Sequence, residues 1–401
     1  MQDKAIIFVN TTNLSKPSAH IYRELATMRG LVENGVEVYC ILLGAEPTKE
    51  ILKDDYYKNI NFITLGSKNS THFPNKYLFY LYQNLLIYRV NNVVQDIKKN
   101  YKIVVFYTYR TTFFIQYNLY KICKKNRIMI FNEISEYPKL IPEDINIFKK
   151  IKVYINYNLY LNYFIPKIEH IFVISTNLKY YFEKHLKKYN KKIPISIFNM
   201  MVEPDKYINH SIINNNEFKD IVFAGTLYSD TNGVSYLLEA FLRISNDFPE
   251  SRLIIIGDNT KPKRMWKIKS ITNQIPNPER IIFTGELNRD NVIKWLNAAY
   301  CLALARPNNI QAKYGFPTKL GEYLAVGKPV VITAVGDIPI YLKDGENVYL
   351  AKPNDVDSFA EKLRECLSDP QRASLIGKNG QKLVYKEFNY FESTKVIVDA
   401  F

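Results

Sequence analysis

Residues 314–331 read Tyr314-Gly-Phe-Pro-Thr-Lys-Leu-Gly-Glu-Tyr-Leu-Ala-Val-Gly-Lys-Pro-Val-Val331, and within them a helix starts, stops and hands over to a buried strand. Pro317 suits a first helical turn, Gly327 ends the helix, and Lys328-Pro329 leads into the apolar pair Val330-Val331. Inside the helix Leu320, Tyr323 and Leu324 can point to a core, while Lys319 and Glu322, three apart, share another face. Working outward, short apolar runs alternate with helix-length sequence at 5–9, 36–43, 61–65, 103–107, 127–131 and 170–174, then at 221–223, 253–256, 280–283, 300–304 and 329–333. That alternation is the α/β rhythm, and it predicts a doubly wound parallel sheet in each half. The first helix is legible because Ile21, Leu25, Met28 and Val32 fall on one face before Asn34-Gly35 stops it.

The 401 residues suffice for two ordinary domains, and the polar stretch 203–219, with Asn214, Asn215 and Asn216 in a row, reads as the linker. The expected division is 1–203, 218–388 and a terminal segment 389–401 that packs back on the first domain. Residues 1–200 carry 29 Lys and Arg against 15 Asp and Glu, so nearly all of the net charge of +15 belongs to the first half. Such asymmetry points to different partners for the two domains, with a polyanion or an anionic membrane facing the basic one. Heavy use of Lys, Asn, Ile and Tyr fits an AT-rich bacterial genome. Cysteines 40, 123, 301 and 366 form no C-x-x-C, which excludes a zinc ribbon or dithiol motif and favours a reducing, cytoplasmic setting. The run at 6–9 is too brief for a signal segment, and no charge-free apolar stretch reaches about 18 residues, the length of a membrane span.

In open α/β sheets ligands sit beyond the carboxyl ends of the strands, and Gly225, Gly257 and Gly285 stand at such ends. The amides of Thr318 and Lys319 at a helix N-terminus form an anion site that the Lys319 charge reinforces, suited to a diphosphate. Glu322, one turn deeper, can accept hydrogen bonds from ribose hydroxyls. From spacing alone, an ordinary surface pair of Lys319 with Glu322 stays open.

The runs FPTKLGEYLAVGKPVV, FAGTLYSDTNGVSYLLEAF, RLIIIGD, IIFTGEL, VISTNLKYYF and NMMVEPDKY together resemble retaining glycosyltransferases of the GT-B fold, specifically glycosyltransferase family four. The resemblance spans nearly the whole chain and is strongest at about 165–390. It implies two Rossmann-like domains facing a central cleft, a nucleotide-sugar donor held by the C-terminal domain, and an acceptor held by the N-terminal one. It implies retention at the anomeric centre, no metal and no further cofactor, with UDP ahead of GDP in the donor. The product would be a bacterial cell-surface glycan such as capsule, lipopolysaccharide or exopolysaccharide, made by a hexosyl- or N-acetylhexosaminyl-transferase. Glu322 matches the family's ribose-binding glutamate, Gly225 the glycine beside the donor phosphates, and Leu287 the position whose backbone meets the base. Gly315 and Phe316 enter the donor site with the same motif. Three positions depart: Thr226 and Asn232 stand where many members carry Arg and Lys on the diphosphate, and Tyr314 stands where many carry a second glutamate. Lys319 and Arg306 are the expected substitutes for the missing cations.

In the first half, the loop after the first strand reads Lys16-Pro-Ser-Ala-His20 where the family carries paired glycines, and His20 is either a site residue or a helix start. Glu133 and Glu136, three apart at a strand end, either serve an acceptor hydroxyl as base or stand as solvated loop acids. Residues 73–94 and 148–167 interleave tyrosines and phenylalanines with Lys149, Lys150 and Lys152, and Lys184, Lys187, Lys188, Lys191 and Lys192 follow. They read as interfacial helices on the inner face of a cytoplasmic membrane, near a lipid-linked or glycan acceptor, or as packed tyrosine-rich helices with a solvated basic face. Asp355-Val-Asp357 mimics a metal motif but precedes a periodic helix and reads as an N-cap, and the five histidines have no metal spacing. Two rivals remain: a sugar-nucleotide epimerase on the same fold, and a nucleic-acid-binding protein using the basic half, for which no recognition motif is present.

Overall fold

The computed structural model describes residues 2–11, 19–43, 51, 55–66, 72–109, 112–138, 146–207, 217–227, 232–258, 260 and 268–401. Lys16 and Ser18 of the first loop and the linker asparagines 214–216 lie outside the described residues. The chain divides into two units, one of Met1–Met201 with Tyr390–Phe401 and one of Val202–Asn389.

The first unit carries seven parallel strands, β1 (Gln2–Asn10), β2 (Glu37–Leu43), β3 (Ile60–Gly66), β4 (Tyr101–Tyr109), β5 (Met129–Ile134), β6 (His170–Val173) and β7 (Ile195–Ile197), in the order β3-β2-β1-β4-β5-β6-β7. The chain reverses its direction of travel across the sheet between β1 and β4. Every residue of β1 from Ala5 to Asn10 is buried, as a central strand covered on both faces requires. Helix α1 (Ala19–Glu33) buries Ile21, Leu25 and Met28 as its spacing predicts, and Gly35 at φ +80° turns the chain into β2. Further helices of this unit are α2 (Lys76–Asn100), α3 (Phe113–Asn126), α4 (Ile147–Leu159) and α5 (Thr176–Lys187).

The terminal helix Tyr390–Val398 belongs to this first unit because α1 is built to receive it. A Cβ on Gly30 would lie 2.4 Å from the Tyr390 carbonyl, so only glycine permits this approach. Asn34 Nδ2 donates to the Phe391 carbonyl at 2.9 Å, and the Arg29 guanidinium lies 4.0 Å from the Tyr390 ring.

The second unit has six parallel strands, β8 (Lys219–Ala224), β9 (Ser251–Ile256), β10 (Ile281–Gly285), β11 (Cys301–Leu304), β12 (Val330–Thr333) and β13 (Tyr349–Ala351), in the order β10-β9-β8-β11-β12-β13. Its switch point lies between β8 and β11. The expected strands are present, while β7 and β13, three residues each, were too short to leave a pattern. Helices α6 (Val234–Ile244), α7 (Arg289–Ala298) and α8 (Thr318–Ala325) flank the sheet. Asp355 caps helix Val356–Ser368 by accepting from the Ser358 amide at 2.8 Å, so its resemblance to a metal motif is explained by capping.

Candidate active site

The second unit gathers its polar chemistry at the β8/β11 switch point, where doubly wound sheets open a crevice. Gly225 follows β8, and its amide donates to the Ile256 carbonyl of β9 at 2.8 Å; Gly257 donates likewise to Gly285 at 3.0 Å. Three glycines thus edge three adjacent strands. A Cβ on Gly257 would stand 2.1 Å from the Gly225 carbonyl, which forces glycine there. On the other side of the switch, Gly233 at φ +72° starts α6 so close to β11 that a Cβ would lie 1.7 Å from the Ala305 carbonyl.

Helix α8 delivers Lys319 to this row. Tyr323 is fully buried, and its hydroxyl accepts the Ala224 amide at 2.7 Å, which fixes the helix against the end of β8. One turn earlier, Lys319 Nζ fills the place a side chain on Gly225 would take, 2.2 Å from the position of that Cβ. Lys319 therefore turns toward the glycine row, and the surface ion pair left open by spacing is not its role. Pro317 stands at the N-cap, one position before the first helical residue. The first-turn amides of Thr318 and Lys319 precede the Leu320 N–H that bonds the Pro317 carbonyl at 3.0 Å.

Arg306 stands two positions beyond the end of β11, held by Thr333 Oγ1, which donates to its carbonyl at 2.7 Å. Only 6% of Arg306 is exposed, and its Nε and Nη1 have no hydrogen-bond partner. Burial lowers its pKa to about 10. Burial likewise pulls the Lys319 ammonium down to about 8; the Glu322 charge opposes this and Arg306 adds to it. A buried Arg306 with orphaned donors and a half-buried Lys319, repelling one another at a strand switch, are costly unless an anion meets them. Their donors and charge fit a diphosphate.

Glu322, half-buried on α8, faces the Tyr207 hydroxyl, which Arg289 Nη2 meets at 3.2 Å. Burial raises the Tyr207 phenol well above its ordinary value, the Glu322 charge adds to this, and Arg289 opposes it. Tyr207 and Arg289 were not foreseen; Arg289 opens α7 four positions beyond Gly285, a spacing that by itself carries no signal. Leu287 is half-buried between Gly285 and the N-cap Asn288. Phe316 is buried edge-on to Tyr341 at 5.8 Å, and Gly315 packs over the Gln311 carbonyl. Thr226, the last but one residue before an undescribed stretch, has its carbonyl held by Asn232 Nδ2 at 3.4 Å. The asparagine at the family's lysine position thus closes the loop.

In the first unit the expected carboxylate pair is corrected. Glu133 is 5% exposed, and both of its oxygens are taken: Oε1 by Arg23 Nε at 2.6 Å and Oε2 by the Tyr107 hydroxyl at 2.7 Å. Arg23 also donates to the Asn199 and Phe198 carbonyls at 2.6 and 2.8 Å. A carboxylate so engaged holds α1 to the sheet and is no free base. The acid it acts upon is Glu24 rather than Glu136. Burial, and then the Glu133 charge, raise Glu24 to about 8, and Asn10 Nδ2 at the end of β1 donates to its Oε2 at 2.9 Å. Glu24 therefore carries a proton at neutral pH, beside the β1/β4 switch. Its place three positions after Ile21 on the buried face of α1 was the signal available in the sequence. Glu136 lines a cavity beyond β5, and His20 sits in the first turn of α1.

Residues 218–369 match the family model described as Glycosyl transferases group 1. The chain carries a group 1 glycosyltransferase domain. Among curated proteins the chain is 25% identical over 155 residues to N-acetyl-alpha-D-glucosaminyl L-malate synthase of Bacillus anthracis, covering 39% of this chain and 38% of that one. It is 28% identical over 151 residues to sulfoquinovosyl transferase SQD2 of Arabidopsis thaliana, covering 36% and 27%. The chain spans less than half the length of the curated relatives it matches. Among solved structures, HepE of Anabaena in complex with UDP superposes with TM-score 0.67 at 15% identity over 98% of both chains. A glycosyltransferase of Rickettsia africae superposes with TM-score 0.68 at 18% identity, over 100% of this chain and 98% of that one. These likenesses and the two Rossmann-like units establish the GT-B fold.

Proposed function

We propose that the protein transfers a sugar from a nucleotide-sugar donor to an acceptor hydroxyl with retention, in bacterial cell-surface glycan assembly. The observation that carries the donor half is the cation pair of half-buried Lys319 and buried Arg306, the latter with unpartnered Nε and Nη1, beside Gly225. In this reading the diphosphate lies over Gly225 and Thr226, charge-paired with both cations and with the first-turn amides of Thr318 and Lys319. Glu322 takes the ribose hydroxyls, the backbone near Leu287 meets the base, and Gly315 and Phe316 border the sugar. UDP is the proposed nucleotide, supported by HepE, whose structure was obtained with UDP. The sugar is a hexose or N-acetylhexosamine. No step of this reading draws on a metal. The epimerase and nucleic-acid readings gain no support from the relatives named above.

The first unit offers the acceptor side and, in the same proposal, a lipid surface. Helix α4 buries none of its residues, and Phe148 is 79% exposed; Ile147, Ile151, Tyr154 and Ile155 are exposed with it. On α2, Tyr77, Leu81, Leu85 and Tyr88 are exposed, and Lys152 Nζ of α4 lies 4.7 Å from the Tyr77 ring, joining the two faces. An apolar face of this size edged by Lys149, Lys150 and Lys152 suits anionic headgroups. Among the described residues no helix is long and apolar enough to cross a membrane.

The test is a panel of UDP- and GDP-sugars offered with a lipid-linked glycan acceptor, followed by NMR of the product. Release of UDP with an anomeric coupling that matches the donor supports the reading. An inverted anomer removes retention, and conversion of donor without acceptor to an isomeric sugar nucleotide replaces transfer by epimerisation.

A further inference from the structure

Beyond β4 and β5 the first unit opens a cavity of about 150 Å³, walled by Tyr109, Gln116, Ser135, Glu136, Tyr157 and Tyr160 among others. Gln116, on α3, is 2% exposed and its Oε1 has no hydrogen-bond partner, although it borders this space. A buried amide oxygen left unpaired costs free energy that a ligand hydroxyl or amide would recover.

The rings around it are held in place. Tyr160 donates to Asn132 Oδ1 at 2.5 Å, and Asn132 Nδ2 donates in turn to Thr108 Oγ1 at 2.7 Å and to the Thr108 carbonyl at 3.0 Å. Tyr160 also opens a π-helical turn, Tyr160–Phe164, a distortion that recurs at functional sites. The Tyr109 hydroxyl is bonded to Ser135 Oγ at 2.9 Å. Among the described residues that line the cavity none is Lys or Arg, while Glu133 and Glu136 are both present. Anions are therefore disfavoured, and a purely apolar chain would leave the amide unpaired.

We infer that this cavity seats a neutral pyranose of the acceptor, its C–H faces on the tyrosines and a hydroxyl on the Gln116 amide. The inference rests on the glycosyltransferase reading, and it makes the acceptor a saccharide rather than a bare lipid alcohol or an organic acid. Gln116 then sets acceptor specificity, because a buried amide with one free partner position discriminates strongly against analogues lacking the matching hydroxyl.

The experiment is saturation-transfer NMR on the full chain with methyl glycosides of glucose, galactose, mannose and N-acetylglucosamine, beside methyl glucuronide and cyclohexanol. UDP affinity is measured separately by calorimetry. The expected result is ring-proton saturation of at least one neutral glycoside over both comparators. Gln116→Leu should weaken that glycoside about tenfold or more, the loss of at least one hydrogen bond, while UDP affinity changes less than twofold. Gln116→Glu, of the same size, keeps an accepting oxygen and should retain the glycoside. Normal UDP binding with no neutral glycoside saturated, or a glycoside bound equally by wild type and Gln116→Leu, would overturn the inference. Glycoside binding without UDP binding would instead remove the donor assignment and leave the cavity's role standing.

Discussion

Lys319 and Glu24 hold their protons in opposite senses, and each leaves a pH signature. Lys319 falls from 10.5 to about 8 on burial, so between those values the unfolded chain binds the proton that the folded chain has lost. Folding stability therefore gains from this residue as pH rises through that window, while a bound diphosphate favours the charged form. UDP should bind most tightly below about pH 8 and weaken as the ammonium deprotonates, with proton uptake when binding is measured near pH 8.5. Calorimetry in buffers of different ionisation enthalpy reads that uptake, and Lys319→Met should abolish it. Glu24 moves the other way, from 4.5 to about 8, so its contribution is whole below pH 4.5 and is lost as pH rises to 8. Glu24→Gln should raise the melting temperature at pH 8 relative to wild type and leave it nearly unchanged at pH 5. An equal shift at both values would mean that the carboxyl is already ionised in the folded chain.

At the scale of elements, backbone approach dictates where glycine stands. Gly233→Ala places a methyl against the Ala305 carbonyl at a positive φ, so it should destabilise the second unit by several kcal/mol, beyond the about 1 kcal/mol of an ordinary glycine-to-alanine change in such a conformation. Gly225→Ala meets the movable end of Lys319 and the Phe223 ring at 2.9 Å. It should cost less in thermal unfolding and more in UDP affinity. Most of this scaffold was legible in the sequence. The apolar runs and their glycine ends gave eleven strands, and the helix after Pro317 brought Lys319 and Glu322 to the right strand end. Partnership across elements was not legible. Nothing local says that Glu133 is consumed by Arg23, 110 positions away, that Glu24 is its electrostatic neighbour, or that Gln116 borders a cavity. Such pairings are set by sheet order, which a periodicity of 2 or 3.6 does not encode.

At the scale of the molecule, charge and apolar exposure concentrate in the first half. If α2 and α4 dock on lipid, the protein should sediment with vesicles rich in anionic lipid at low salt and be released as salt shortens screening to about 8 Å and below. Phe148→Ser and Lys152→Glu together should abolish sedimentation without loss of UDP affinity, and sedimentation indifferent to both lipid charge and salt would refute the docking face. The central claim, however, concerns the second half: Lys319 and the buried Arg306 at the β8/β11 switch exist to hold a diphosphate. Calorimetric titration of UDP and of uridine into wild type, Lys319→Met and Arg306→Met addresses it directly. Each substitution should weaken UDP by about 1.5–3 kcal/mol, the worth of a charged hydrogen bond, and leave uridine nearly unchanged. Equal losses for UDP and uridine, or UDP affinity untouched by either substitution, would contradict it.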